Sequence, residues 1–248
     1  MVLLRPSYFI LFAMLFVSGC VSQNMCVPGF EYVPITAGGY EIATWQRITD
    51  RTAPVHIYIE GDGNAFDAMN FPTNDPTPRG RAVRDLAARD AAPNVVYVAR
   101  PCQFIKSARC TPADWTHGRF SANIVDAMAA AVHAVAGGRP VVLVGYSGGA
   151  MISGLILIRH PEIKATRWIT VAGVLNHSQW TAWFGDSPLT TSLDMDVLPQ
   201  IKQTHYVAEN DAVVPRELSQ KWTGGAMQVI PGAKHDKLDN LNIEFDKL

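Results

Sequence analysis

The sequence predicts an α/β domain built on a mostly parallel sheet with helices on both faces. Three observations lead there. Short β-branched runs alternate with helical stretches from about residue 55 onward. The run Pro140-Val141-Val142-Leu143-Val144 is apolar without a break, as in a strand covered on both sides. Hydrophobic residues make up 48% of the 248 and charged residues 17%, a composition that can fill one large core.

The N-terminus differs in kind. Arg5 supplies a sparse positive charge and Tyr8 to Val17 form a nearly unbroken apolar run, too short to span a bilayer comfortably. It ends in Val17-Ser18-Gly19-Cys20, which resembles the bacterial lipobox, where small residues precede a cysteine that becomes lipidated. The expectation is a lipoprotein signal peptide over residues 1–19, lipidation at Cys20 and a membrane anchor through that lipid. An ordinary secretory signal and an uncleaved anchor are the alternatives. Val21 after the cysteine resembles outer-membrane sorting, so the expected location is the outer membrane or the periplasmic face. Residues 20–38, with Pro28, Pro34 and paired glycines, read as a tether, and residues 39–248 as the domain.

Within the domain, Val55 to Ile59 predicts a strand that ends at Glu60-Gly61-Asp62-Gly63. A Pro/Gly/Asn loop follows, then a helix from about Arg79 to Ala91 and a strand at Asn94 to Val98, stopped by Pro101. In an oxidising compartment Cys102 and Cys110, which flank seven residues, can close a disulfide. Cys26 is then left in the tether, although three cysteines permit three pairings. Ser121 is a plausible N-cap for a helix to about Ala136. After the apolar strand come a helix from Gly148 to about Arg159 and strands at 168–172, 205–208 and 227–230.

Every chemically suggestive motif falls at the carboxyl end of one of these strands, where ligands collect in parallel sheets. Gly145-Tyr146-Ser147-Gly148-Gly149 lies between an apolar strand and a small-residue helix. A serine there is presented at a cramped turn, with glycines two residues away on each side to relieve crowding. The helix that starts at Gly148 points its N-terminal amides at the site, favouring negative charge.

This strand-turn-helix resembles the α/β-hydrolase superfamily of serine hydrolases, over about residues 40 to 248. The resemblance implies an α/β-hydrolase fold with a small cap insertion, and a triad in the chain order serine, acid, histidine. Ser147 takes the place of the nucleophile. Asp211, in Ala208-Glu209-Asn210-Asp211-Ala212-Val213-Val214-Pro215, matches the acid, with Glu209 as its rival. His235, beyond Val229-Ile230-Pro231-Gly232, matches the general base, while His117 and His177 also lie in loops.

The resemblance also implies an oxyanion hole. One donor is the backbone N–H of Gly148. The other is Asp62, with Gly63 as the alternative, in a loop where Glu60 replaces the histidine common in relatives. The expected cap spans Asn176 to Pro199, where Trp180, Trp183 and Phe184 either line an acyl or alcohol pocket or pin the loop to the body. Trp180 and Trp183, with Tyr146 beside the nucleophile, are the expected substrate contacts.

The implied activity is hydrolysis of an ester or related acyl bond in a small-molecule substrate. A thioesterase, acyltransferase or peptidase would use the same residues, and a tethered binding module would keep the fold without chemistry. A net charge of −1 argues against nucleic acid as a partner. No zinc-ligand spacing, no Rossmann glycine pattern and no P-loop lysine occur, so neither a metal nor another cofactor is expected.

Overall fold

A computed structural model describes residues 27–245. The expected signal peptide, the lipidation site Cys20 and Cys26 lie outside the described residues. The strands are β1 (Glu31–Tyr32), β2 (Ile35–Ala37), β3 (Tyr40–Ile42), β4 (Thr44–Ile48), β5 (Val55–Ile59), β6 (Asn94–Val98), β7 (Val141–Tyr146), β8 (Ala165–Val171), β9 (Gln203–Ala208) and β10 (Met227–Ile230). The helices are α1 (Ala82–Arg89), α2 (Ala122–Ala136), α3 (Gly148–Arg159), α4 (His177–Phe184) and α5 (Arg216–Thr223).

Eight strands form one sheet in the order β1-β4-β6-β5-β7-β8-β9-β10. From β6 to β10 all neighbours are parallel, and β4 and β1 extend the sheet antiparallel at one edge. The two-stranded hairpin β2-β3 stands apart from it. The expected mostly parallel sheet is what the chain forms.

Strand alternation divides the core in two. Ile57, Ile59, Val96, Val98, Val141 and Leu143 meet α2, α3 and the hairpin on one face. Tyr58, Val95, Tyr97, Val142, Val144 and Ile169 meet α1 and the C-terminal residues Leu238, Leu241 and Ile243 on the other. Nine of the fifteen residues of α2 are buried, and its many alanines let it lie close to the sheet. Each fully buried aliphatic side chain contributes about 1.5–3 kcal/mol.

Several boundaries move from their expected places. Helix α1 is shorter at both ends; at the C-terminal one, Asp90 adopts extended backbone and turns its carboxylate to His56 Nδ1 and the Tyr58 hydroxyl, each at 2.8 Å. Strand β8 starts at Ala165, earlier than expected, since its pairing with β7 reaches back to Val141. Ser121 occupies the N-cap position of α2, but its side chain makes no capping hydrogen bond. Residues 27–38, expected in the tether, pack onto the domain: β1 joins the main sheet, β2 pairs with β3, and Val27 and Ala37 are buried.

Strand order also places the site. From β5 the chain moves through α1 to β6 on one side, then crosses by α2 to β7 on the other. Connections leaving in opposite directions open a crevice at the carboxyl ends of β5 and β7. Ser147 follows β7 and Glu60 follows β5, so both border that crevice.

Candidate active site

Ser147 is the last residue before α3, at φ 51° and ψ −124°. A side chain rarely adopts this backbone, and it is held here by strand and helix together. The Ser147 N–H donates to Val171 O at 3.0 Å, while its carbonyl accepts from Ala150 and Val174 N–H, each at 3.0 Å. Side chains at Gly145 or Gly149 would collide with Ser153 Oγ and with the Ile59 carbonyl, so β5, β7 and α3 close on the serine only with glycine at both. Behind the turn, the Trp168 indole N–H donates to Ser153 Oγ at 2.8 Å and ties β8 to α3.

Three side chains from three strand ends meet in line. His235 Nε2 lies 3.1 Å from Ser147 Oγ, and its Nδ1 lies 2.9 Å from Asp211 Oδ2. The other Asp211 oxygen accepts the N–H groups of Val213 and Val214, both at 2.8 Å. One carboxylate thus shapes its own turn and holds the imidazole. Glu209 points elsewhere: its Oε2 accepts the Gly232 N–H at 2.7 Å in the turn that precedes His235.

Tyr146 lies under the histidine. Its ring is tilted against His235 with centroids 5.1 Å apart, and its hydroxyl donates to the His235 carbonyl at 2.9 Å. Burial, aided by the charges of Glu60, Asp211 and Asp236, pushes the Tyr146 phenol well above its usual range, so it stays a neutral donor.

On the β5 side, Glu60 is buried. Its carboxylate accepts the Tyr97 hydroxyl at 2.7 Å and the Gly61 N–H at 2.9 Å. Burial raises its pKa while those two bonds oppose the rise. The Gly61 amide is therefore engaged, leaving Asp62 and Gly63 as the loop's two named candidate donors. The Asp62 carboxylate packs against the Cα of Gly148, the first residue of α3, where a methyl group would overlap it. Arg119 Nη1 binds it at 2.8 Å and Arg100 Nη1 at 3.2 Å. Burial lowers the pKa of Arg100, and Asp62 draws it back up. Neither arginine carries a local sequence signal, since Arg119 is 57 positions from Asp62 and belongs to another loop.

An open cleft of about 420 Å³ holds Ser147, His235, Tyr146, Asp62, Gly63 and Trp180 in its lining. Trp180 also donates its indole N–H to Val213 O at 2.7 Å, so α4 is pinned to the turn after Asp211. Trp183 departs from expectation. It is 51% exposed and is absent from the cleft lining, because the aromatic insertion folds into a short helix with its faces turned differently.

A second hollow of about 380 Å³ shares Phe66, Arg119 and Trp180 with the cleft and includes His117. His177 is buried against the Phe120 ring, 5.8 Å between centroids. Neither histidine lines the cleft. A larger hollow of about 730 Å³, between α1 and the C-terminal segment, contains no serine or cysteine in its lining. Among the described residues, no three His, Cys, Asp or Glu side chains are placed to hold a metal ion. Cys102 and Cys110 form a disulfide, with Cα atoms 5.7 Å apart.

No protein-family model matches this sequence, and no curated protein sequence matches it. Solved structures do resemble the fold. A serine hydrolase involved in carbazole degradation superposes with a TM-score of 0.56 at 16% identity, over 84% of this chain and 93% of that one. A serine hydrolase homologue from Coxiella burnetii gives 0.57 at 17% identity, over 85% and 91%. A serine hydrolase without a lid from Xanthomonas campestris gives 0.52 at 15% identity, over 84% and 88%. At such identities the likeness is one of architecture, and the chain has the α/β-hydrolase fold.

Proposed function

We propose that this protein is a serine hydrolase that cleaves an ester or related acyl bond in a small-molecule substrate through a Ser147 acyl-enzyme. The observation that carries the reading is the hydrogen-bonded line Ser147–His235–Asp211 opening onto a solvent-accessible cleft. Fold relatives described as serine hydrolases support it.

His235 Nε2 takes the Ser147 proton as Oγ attacks the acyl carbon. Asp211 keeps the Nδ1 proton in place and stabilises the imidazolium. The tetrahedral oxyanion accepts hydrogen bonds from the N–H of Gly148 and that of Asp62, with Gly63 as the alternative second donor. The Gly148 amide is free for this because the first N–H groups of a helix lack intrahelical acceptors. The Asp62 carboxylate would oppose an oxyanion, and Arg100 and Arg119 offset its charge. His235 then protonates the leaving group, and water repeats the sequence to release the acid. Trp180 and Tyr146 bound the substrate space.

A fluorophosphonate probe tests the reading on the parent beside Ser147→Ala and His235→Ala. Labelling of the parent alone is expected. An unlabelled parent overturns the hydrolase assignment, and labelling that survives Ser147→Ala overturns the nucleophile. Ester, thioester and peptide-amide series, with amine or alcohol acceptors, then separate esterase from thioesterase, acyltransferase and peptidase.

We also propose that the chain is exported and held at the outer membrane or periplasmic face through lipid on Cys20. The mass of the mature N-terminus tests this: an unmodified Cys20 overturns it.

A further inference from the structure

We propose that Gln103 is a positioning residue that aims the second oxyanion donor, acting through the carbonyl of Gly61. This rests on the reading of Ser147 as nucleophile and of the loop after β5 as part of the oxyanion hole.

Gln103 is 1% exposed and bonded at both ends of its amide. Oε1 accepts the Arg100 N–H at 3.0 Å, and Nε2 donates to Gly61 O at 3.0 Å. Since one neighbour can only donate and the other can only accept, the amide's orientation is fixed. A trans peptide is planar, so a Gly61 carbonyl drawn toward Gln103 turns the Asp62 N–H to the opposite side. The Cα of Gly61 lies against Ser147, where an added methyl would meet Ser147 Cβ at 3.0 Å. With the Gly61 N–H held by Glu60, this glycine is fixed at both its amide and its carbonyl.

The chain around Gln103 is strained in a way that a passive surface turn does not require. Cys102 and Phe104, its neighbours on either side, have φ 71° and 63°. Side-chain-bearing residues avoid this region, and such conformations persist where their surroundings over-determine them. The surroundings do so here. The Cys102–Cys110 disulfide staples one neighbour. The Phe104 N–H donates to Thr77 Oγ1 at 2.7 Å, and its ring packs on Trp45 with centroids 5.0 Å apart. Strain flanking one buried glutamine presents its amide at a single point, as a rigid supporting shell must.

Gln103→Glu keeps the side chain's shape and its acceptor toward Arg100 but replaces the donor to Gly61 with a carboxylate oxygen. Gln103→Met removes the donor without adding charge and decides the matter if the glutamate variant does not fold. With p-nitrophenyl acetate, kcat per fluorophosphonate-titrated site is expected to fall about 10- to 100-fold, with KM within about twofold. Affinity for phenylboronic acid, which forms a tetrahedral adduct on Ser147, should fall in parallel. A global loss of structure would instead lower the number of titrated sites and leave kcat per site unchanged. Full kcat per site in Gln103→Met, or a loss confined to KM, overturns the proposal alone. A parent that neither labels nor turns over ester overturns the hydrolase reading along with it.

Discussion

Asp211→Asn separates two tasks that one carboxylate performs. Its Oδ1 caps the turn at Val213 and Val214, and its Oδ2 holds His235 Nδ1 at 2.9 Å. Asparagine keeps one acceptor oxygen, so the turn survives. Its NH₂ then faces Nδ1, which must become the acceptor, and the imidazole proton moves to Nε2, 3.1 Å from Ser147 Oγ. In that tautomer the imidazole cannot take the serine proton. The Asp211 side chain is 1% exposed, so solvent screens little of its attraction for an imidazolium. The expected loss in kcat is about 10⁴-fold, or about 5.4 kcal/mol of transition-state stabilisation. Asp211→Ala loses the turn acceptor as well, which costs about 1–2 kcal/mol of stability. At about 2–4 °C per kcal/mol, the alanine variant should melt about 2–8 °C below the asparagine variant. Initial rates on a p-nitrophenyl ester and scanning calorimetry read the two effects, with Glu209→Gln as the control for the rival carboxylate. An asparagine variant within tenfold of the parent, or a Glu209→Gln loss of equal size, refutes the reasoning.

Three further outcomes follow from the geometry. Burial lowers the pKa of His205 to about 4, while its ring bonds Thr170 Oγ1 and Gln203 Oε1. The unfolded chain binds this proton first, at about pH 6.5, so the stability is whole above that value. It is lost as pH falls toward 4, by about 3 kcal/mol in all. Urea midpoints between pH 7 and 4 should therefore drop more steeply in the parent than in His205→Gln, and equal slopes would count against it. Ser147→Gly should be about 1 kcal/mol more stable than Ser147→Ala, because glycine relieves the φ of 51°; equal urea midpoints would mean that no strain is stored there. Trp180→Ala should raise KM several-fold, whereas half-exposed Trp183→Ala should stay within about 0.5 kcal/mol in stability with unchanged kinetics, and a reversed pattern would remove Trp180 from the cleft.

What could be read from the sequence was local. The Ser147 turn announces itself through an apolar strand before it and small residues after it, and Asp211 and His235 through their places beyond strand ends. The arginines that offset Asp62 were invisible because nothing near Arg100 or Arg119 in the chain refers to position 62. Gln103 was hidden among the seven residues of the cysteine loop for the same reason. Composition groups Trp183 with Trp180, and only the turn of a short helix distinguishes them. Strands β1, β2 and β3 carry no sequence signal because two or three residues are too few for a period-2 pattern, and β4 carries none because Thr44-Trp45-Gln46-Arg47-Ile48 does not alternate.

The place of β10 in the sheet carries a consequence for how the molecule fails. His235 hangs from a four-residue strand at the rim, paired only with β9 in the sheet order. Ser147 follows an interior strand held on both sides. The proposed nucleophile thus sits on bedrock and the proposed base on a hinged shutter. Peeling back that one ribbon would part the pair and uncover Ile230 and Ala233 while the hydrophobic layer on the other face of the sheet stays closed, a sub-global opening that needs less free energy than unfolding. Turnover should then vanish at milder heat or denaturant than helical circular dichroism does. A transition-state adduct linking Ser147 to His235 would latch the shutter and bring the two transitions together.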